Sequence, residues 1–305
     1  MIKLVSLDVT SRCNLCCAHC YNRSGGAGKG DLSLPELLQT MEQIRALRPE
    51  NVCLCGGEPL LAPGLLELLR TLRGSGISVS MVSNGLLMTL ETAKALVNGG
   101  LRTIQISLDG AFAFQHDSLR GRAGSFDAAC RAIRVLKEAG IAQLTTAMIP
   151  NRLNYQSMED YFILCRGLGV DVMRFMPFMP LGRGGDVGRK LMLDPEEMFF
   201  FQRELCIQRE RYGEEIAVEW YDPVLSARYL CRRIQAGGAP YSICITSTGE
   251  VNTDIYAPVT LGSVREKPLP EMIESGLRAA REAGKFQTVL DHLHELNQLT
   301  DQPAR

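Results

Sequence analysis

Cys13-Asn-Leu-Cys-Cys-Ala-His-Cys20-Tyr21 is the stretch that decides how the chain reads. Four cysteines crowd into it, and Cys13, Cys17 and Cys20 follow the spacing C-x3-C-x2-C. Thiolates packed this tightly suit a soft metal centre, with an iron–sulfur cluster the usual occupant. Three cysteines ligate three corners of a 4Fe–4S cube and leave the remaining iron open to a small chelating molecule. Two other occupants stay open at this level. One is a zinc knuckle, which wants a closed set of four ligands. The other is a redox thiol pair. Cys16 interrupts the pattern, and the set Cys13, Cys16, Cys20 would have the spacing C-x2-C-x3-C. Cys16 is read as a buried neighbouring thiol, not a ligand.

The rest of the chain bounds the setting. Its 305 residues are 46% hydrophobic, enough for a sizeable core in one large domain or one plus a small appendage. Net charge is −1, from 33 Lys+Arg against 34 Asp+Glu, so no basic excess points to nucleic acid or an anionic membrane. The opening Met-Ile-Lys-Leu-Val-Ser-Leu-Asp has no apolar region of signal-peptide type, and no run approaches a membrane span. Eleven scattered cysteines, an odd number, argue against a disulfide framework and for a reducing cytoplasm. Outside the first cluster, Cys53, Cys55, Cys130, Cys165 and Cys206 sit in apolar or helical contexts and read as core residues.

Strand, loop and helix alternate about six times. Strands are expected over 3–9, 51–55, 77–82, 103–107, 143–149 and 171–175. Helices are expected after Ser33-Leu-Pro-Glu36, over 64–73 and 89–98, from Ser125 to about Ala139, and over 156–168. Gly25–Gly30 does not fit G-x4-G-K-[ST] and reads as a loop. Alternation of this kind implies a parallel sheet with helical crossovers, either doubly wound or a barrel. The polar and glycine-rich strings Cys13–Cys20, Gly56–Pro59, Ser83–Gly85 and Ser107–Gly110 all fall just after strands. A β/α barrel builds its site from those strand ends. Arg174–Gly185 reads as a substrate-facing loop at the mouth, and Asp194-Pro-Glu-Glu197 caps a further helix to about Arg211. Residues 241–253 read as a β-hairpin.

In Gly56-Gly57-Glu58-Pro59, two glycines let a backbone come close to a ligand, and Glu58 adds an acceptor of the kind an α-ammonium group needs. Ser83, Asn84, Ser107 and Asp109 place small polar groups at the next strand ends, suited to ribose hydroxyls and a carboxylate region. As strings they are also ordinary turns. Arg120 reads equally as a carboxylate partner or a surface residue. Met148 and Ile149 read as an adenine flank or as core.

The cysteine stretch resembles the signature of the radical S-adenosylmethionine (SAM) superfamily, C-x3-C-x-aromatic-C, with His19 in the aromatic slot and Tyr21 following the last ligand. The resemblance implies an α/β fold, a partial (β/α)6 TIM-like barrel over about 1–190. It implies one 4Fe–4S cluster on Cys13, Cys17 and Cys20, with SAM chelating the open iron. Reductive cleavage of SAM would then give a 5′-deoxyadenosyl radical that removes hydrogen from a substrate carbon. The family's GGE motif, matched here by Gly56, Gly57 and Glu58 with Pro59 after them, binds the SAM amino group. Residues 191–305 resemble the α+β extension called SPASM or twitch, which carries auxiliary clusters. Its cysteine slots hold Ile234 and Asp254 here, so no auxiliary cluster is expected. Cys231 lies near the degenerate slot, as a packing residue or as a hydrogen-atom donor facing the mouth. The resemblance favours a ribosomally made peptide as substrate, with a tetrapyrrole or natural-product sugar as the small-molecule alternative. It implies a reducing partner such as flavodoxin or ferredoxin. Because the barrel starts at residue 3, a leader-peptide-binding protein is expected to be a separate partner.

Overall fold

The computed structural model describes residues 2–301, with side-chain surroundings through residue 293. Strands and helices alternate as β1 (Leu4–Thr10), α1 (Leu34–Leu47), β2 (Asn51–Gly56), α2 (Leu65–Thr71), β3 (Ser78–Ser83), α3 (Leu90–Gly99) and β4 (Thr103–Ser107). Then come α4 (Ala113–Arg120), α5 (Ser125–Glu138), β5 (Gln143–Met148), α6 (Met158–Gly167), β6 (Val172–Phe175), α7 (Arg183–Leu191), α8 (Pro195–Tyr212) and β7 (Ala217–Trp220). The chain continues through α9 (Pro223–Gln235), β8 (Ser242–Ile245), β9 (Glu250–Asn252), β10 (Thr260–Ser263), α10 (Leu269–Glu282) and α11 (Lys285–Asp301).

One sheet carries all of these strands in the order β10-β9-β8-β1-β2-β3-β4-β5-β6-β7. Neighbours from β1 to β7 run parallel, and β8 adds parallel to the free edge of β1. The β8–β9–β10 meander is antiparallel. The two edge strands, β7 and β10, do not pair with each other, so the barrel is partial and open between them. Strands from beyond residue 190 therefore extend both edges of the sheet.

Side chains alternate across each strand, and the alternation explains the layers. Val5, Leu7 and Val9 of β1, Val52 and Leu54 of β2 and Ile104 and Ile106 of β4 are buried in the core beneath the helices. Burial of each such side chain stabilises the fold by about 1.5–3 kcal/mol. The opposite faces are polar. Asp8, Cys55, Ser80, Gln105 and Arg174 line the inside, where the Arg174 guanidinium donates to Gln105 Oε1 at 2.8 Å and to Glu219 Oε2 at 2.9 Å. The parallel sheet thus has one apolar, packed face and one polar inner face.

Several sequence expectations change. Cys130 and Cys165 are buried as expected, but Cys53 and Cys55 are half-buried on the inner face and Cys206 is exposed on α8. The short apolar run Val52-Cys-Leu-Cys reads as core because one face of it is. Ser125 is the first residue of α5, and Gly124 takes the cap position with φ of +80°. The helices α4 and α7 were not anticipated; α7 begins in Gly-Arg-Gly-Gly, a poor helix former held by tertiary contacts.

Candidate active site

The loop after β1 is shaped by its neighbours. The Gly57 amide donates to Thr10 O at 2.8 Å and the Glu58 amide to Arg12 O at 2.9 Å, so the ends of β1 and β2 zip together. A Cβ at Gly57 would fall on the Arg12 carbonyl, and one at Gly56, with φ of +118°, on the Thr10 carbonyl. The two glycines thus let one strand end lie against the base of the cysteine loop, where the sequence alone had suggested approach to a ligand. Asp31 Oδ2 accepts from the Ser11 amide and the Thr10 hydroxyl, both at 2.8 Å, and closes the base. Burial opposes the Asp31 charge, but those hydrogen bonds outweigh it and hold the carboxyl below its usual range. Arg183, at the start of α7, clasps the far side. Its Nε donates to Cys17 O at 2.8 Å, its Nη1 to Ser24 O at 3.0 Å and its amide to Cys20 O at 2.9 Å.

Cys13, Cys17 and Cys20 share this loop, and N–H donors address two of the sulfurs. Asn84 Nδ2 lies 3.9 Å from Cys13 Sγ and Arg120 Nη1 lies 3.7 Å from Cys17 Sγ. Burial raises the Cys17 thiol, and Arg120 acts in the opposite direction by favouring its thiolate. Donors of this kind tune the sulfurs of iron–sulfur clusters. Among the described residues no three His, Cys, Asp or Glu side chains close around a single-ion position, as a zinc knuckle requires. Separate thiols on one loop, with N–H donors on their sulfurs, fit the corners of a cube. Cys16 is exposed, which corrects its reading as a buried neighbour.

Behind the thiols stand two buried carboxylates. Glu58 is wholly buried. Its Oε1 accepts from Ser83 Oγ at 2.9 Å and the Leu60 amide at 3.1 Å, and its Oε2 accepts from the Asn84 amide at 2.8 Å. It therefore ties the end of β2 to the end of β3 instead of presenting its charge to a ligand. Asn84, so placed, reaches Asn14 Oδ1 at 2.8 Å as well as Cys13. Pro59 is buried in the same turn. Asp109 is also wholly buried. It accepts from Arg120 Nε at 2.6 Å, pairs with Arg120 Nη2, and accepts the Ile149 amide at 3.0 Å. Burial opposes the Asp109 charge, yet Arg120 together with His19, His116 and the Ile149 amide outweighs it and keeps the carboxyl below its usual range. Arg120 is thus a buried partner of Asp109 and Cys17, neither a surface residue nor one free for a SAM carboxylate. Burial lowers His116 to about 4, and its neutral Nδ1 accepts the Asp109 amide at 3.0 Å.

His19 is buried beside this pair, and its Nδ1 has no partner among the described residues. Tyr21 is half-buried, its ring 5.2 Å from that of Tyr256. Ser107 ends β4 half-buried on the inner face, and Ile149 follows β5 with its backbone anchored by Asp109. Met148 is core. Cys231 is corrected: it is 1% exposed within the main apolar cluster, because α9 turns that face toward the core. Ile234 is fully buried on the same helix, and Asp254 Oδ1 caps a turn by accepting the Tyr256 and Ala257 amides. Arg183, Asn14, Asp31 and His116 were not singled out from sequence. Only the two arginines of the 174–185 segment hinted that it was more than a linker.

The Glu58 geometry gives a test. Glu58→Gln replaces an acceptor facing the Asn84 amide with a donor, leaving a buried N–H unsatisfied at a cost of roughly 1–3 kcal/mol. Urea unfolding of the cluster-free chain should show that loss. Unchanged stability together with a ten- to a hundredfold weaker SAM affinity, roughly what a lost charge-assisted bond to an ammonium would give, would restore direct contact instead.

An open β/α barrel with a three-thiol loop at its strand ends defines a class, the iron–sulfur enzymes of radical chemistry. The family model described as "Radical SAM superfamily" matches residues 7–165, and the chain belongs to that superfamily. It is 27% identical to the "AdoMet-dependent heme synthase" of Methanosarcina barkeri, across 90% of this chain and 82% of that protein. It is 33% identical to the "Mycofactocin maturase MftC" of Mycobacterium tuberculosis, across 59% of this chain and 46% of that protein. Its fold is that of Streptococcus suis SuiB bound to precursor peptide SuiA, with a TM-score of 0.74 at 15% identity over 92% of this chain and 67% of that one. The protein is accordingly an enzyme that uses a 4Fe–4S cluster and SAM. When bound, these supply the electron and the carbon radical for hydrogen abstraction. The chain's own residues hold the thiols, set the loop and enclose the substrate space.

Proposed function

We propose that the enzyme modifies a ribosomally made peptide, by cross-linking or epimerisation within the barrel. The observation that carries this reading is the side opening between the edge strands β7 and β10. An extended chain needs a slot to bring one residue to an interior site, and the exposed Trp220 and Tyr221 at the end of β7 offer it aromatic surface. The fold shared with a peptide-bound neighbour and the maturase relative support the same class. The electron comes from a one-electron carrier such as flavodoxin or ferredoxin in the cytoplasm. No helix among the described residues is long and apolar enough to cross a membrane.

A second reading has its own observation: the heme synthase relative aligns through nearly the whole chain, including the C-terminal third, and favours a tetrapyrrole. Reconstituted enzyme with SAM and reductant separates the two. Candidate peptides encoded beside the gene should lose two hydrogens in a cross-link, or gain solvent deuterium in an epimerisation. Turnover of a carboxylated tetrapyrrole, with every such peptide unchanged, would decide for the small molecule.

A further inference from the structure

Below the thiol loop, the inner face holds reactive groups with no part in binding so far. Asp8 of β1 stands beside Cys55 of β2 in the sheet register, and Cys55 Sγ donates to Asp8 Oδ1 at 3.3 Å. Both are surrounded by barrel yet keep accessible surface, so they border the internal space. Cys55 directly precedes Gly56, and Tyr21 directly follows the ligand Cys20. Cys55 and Asp8 both lie within electrostatic reach of Tyr21. The pair therefore lies on the inner face close to the end of the cysteine loop. Cys53 lies one step further from the mouth on the same face, and Cys244, 9% exposed, donates to Asn252 O at 3.6 Å. An S–H bond is weaker than an aliphatic C–H bond, so a thiol at such a point quenches a carbon radical.

We propose that Cys55 is the hydrogen-atom donor to a substrate carbon radical in this lumen and that Asp8 returns the proton to its sulfur. The substrate C–H bond forms as the Cys55 S–H bond breaks, leaving a thiyl. One electron from the one-electron carrier and one proton from the Asp8 carboxyl restore the thiol, and lumen water reprotonates Asp8. Burial raises Asp8 to about 6, against the lowering effect of the Cys55 hydrogen bond, so near neutrality part of the population holds that proton. The proposal rests on the radical reaction of the superfamily and is independent of whether the substrate is a peptide.

The deoxyadenosyl radical itself serves as the probe. Reconstituted enzyme with SAM and dithionite in deuterated water, without substrate, should give 5′-deoxyadenosine carrying deuterium taken from the exchanged Cys55 thiol. The label should be lost in Cys55→Ala and Cys55→Ser and kept in Cys231→Ala. Unlabelled product from wild type, label kept without Cys55, or label lost in Cys231→Ala overturns the donor. Formation of 5′-deoxyadenosine, labelled or not, reports separately on the reaction class; none at all from wild type would overturn both. A second measurement needs no cluster. Methylmercury with peptide mapping of the folded, cluster-free chain should modify Cys55 and spare the buried Cys165. Protection of Cys55 equal to that of Cys165 would mean that the thiol does not border the lumen, and the proposal falls.

Discussion

Replacing Asp109 by alanine is expected to lower the stability of the cluster-free chain by roughly 3–5 kcal/mol, because it leaves a buried guanidinium without its counter-charge. Asp109 is fully buried, and the Arg120 side chain that it pairs with is 11% exposed, so water cannot replace the lost partner. The Ile149 amide would lose its acceptor as well. The same change frees Arg120 from its fixed direction toward Cys17, so iron retained after reconstitution should fall too. Adding Arg120→Met to Asp109→Ala should recover part of the stability, since the unpaired charge is gone, but not the iron. Urea unfolding followed by circular dichroism measures the first effect and iron per chain the second. A single variant as stable as wild type would mean that solvent reaches Arg120.

The pairing of Asp109 with Arg120 marks the limit of what the sequence discloses. Both residues were visible as candidates, one at a strand end and one in a polar stretch. Their contact depends on α4, a short helix whose pattern did not announce it. Glu58 shows the same limit. The Gly-Gly-Glu string places the residue correctly after β2, but whether its carboxylate meets a ligand or a backbone amide is fixed by the β3 end, whose Asn84 lies 26 residues on. Arg183 reaches Cys17 across 166 residues, and no local pattern encodes that. By contrast, the three cysteines proposed as ligands stand out because metal chemistry imposes its spacing within a single loop.

The repeating strand–helix units were legible for a related reason: each buries one face of its strand, and alternation repeats in every unit. The last third lacks that repetition. In β7, which lies on the open edge, Ala217, Glu219 and Trp220 are exposed, so no apolar alternation marks it. Cys53 and Cys55 illustrate the converse error. A strand with apolar residues beneath the helices and thiols facing an inner space has the same composition as a strand buried on both sides. Only the polar neighbours on the inner face, Asp8 and Ser80 on the flanking strands and Arg174 on β6, distinguish the two.

The triple variant Cys13→Ala, Cys17→Ala, Cys20→Ala is expected to hold almost no iron and to cleave no SAM, where wild type levels off at about four irons, one cube. The expectation of a single cluster rests on the C-terminal third. The slot where an auxiliary cluster would find cysteine holds Ile234, whose aliphatic side chain packs in the core and cannot ligate. Asp254 is committed to two backbone amides, and burial raises its carboxyl, which disfavours the charged form that a metal would need. Cys231 is buried among apolar side chains, and burial likewise pushes its thiol up to about 11. Cys244 is raised in the same way by burial and engages a backbone carbonyl. Iron per chain and the brown absorbance decide the matter. If the triple variant keeps about four irons, a second cube has assembled in the C-terminal third, and Cys231 and Cys244 must have left their packed positions to ligate it.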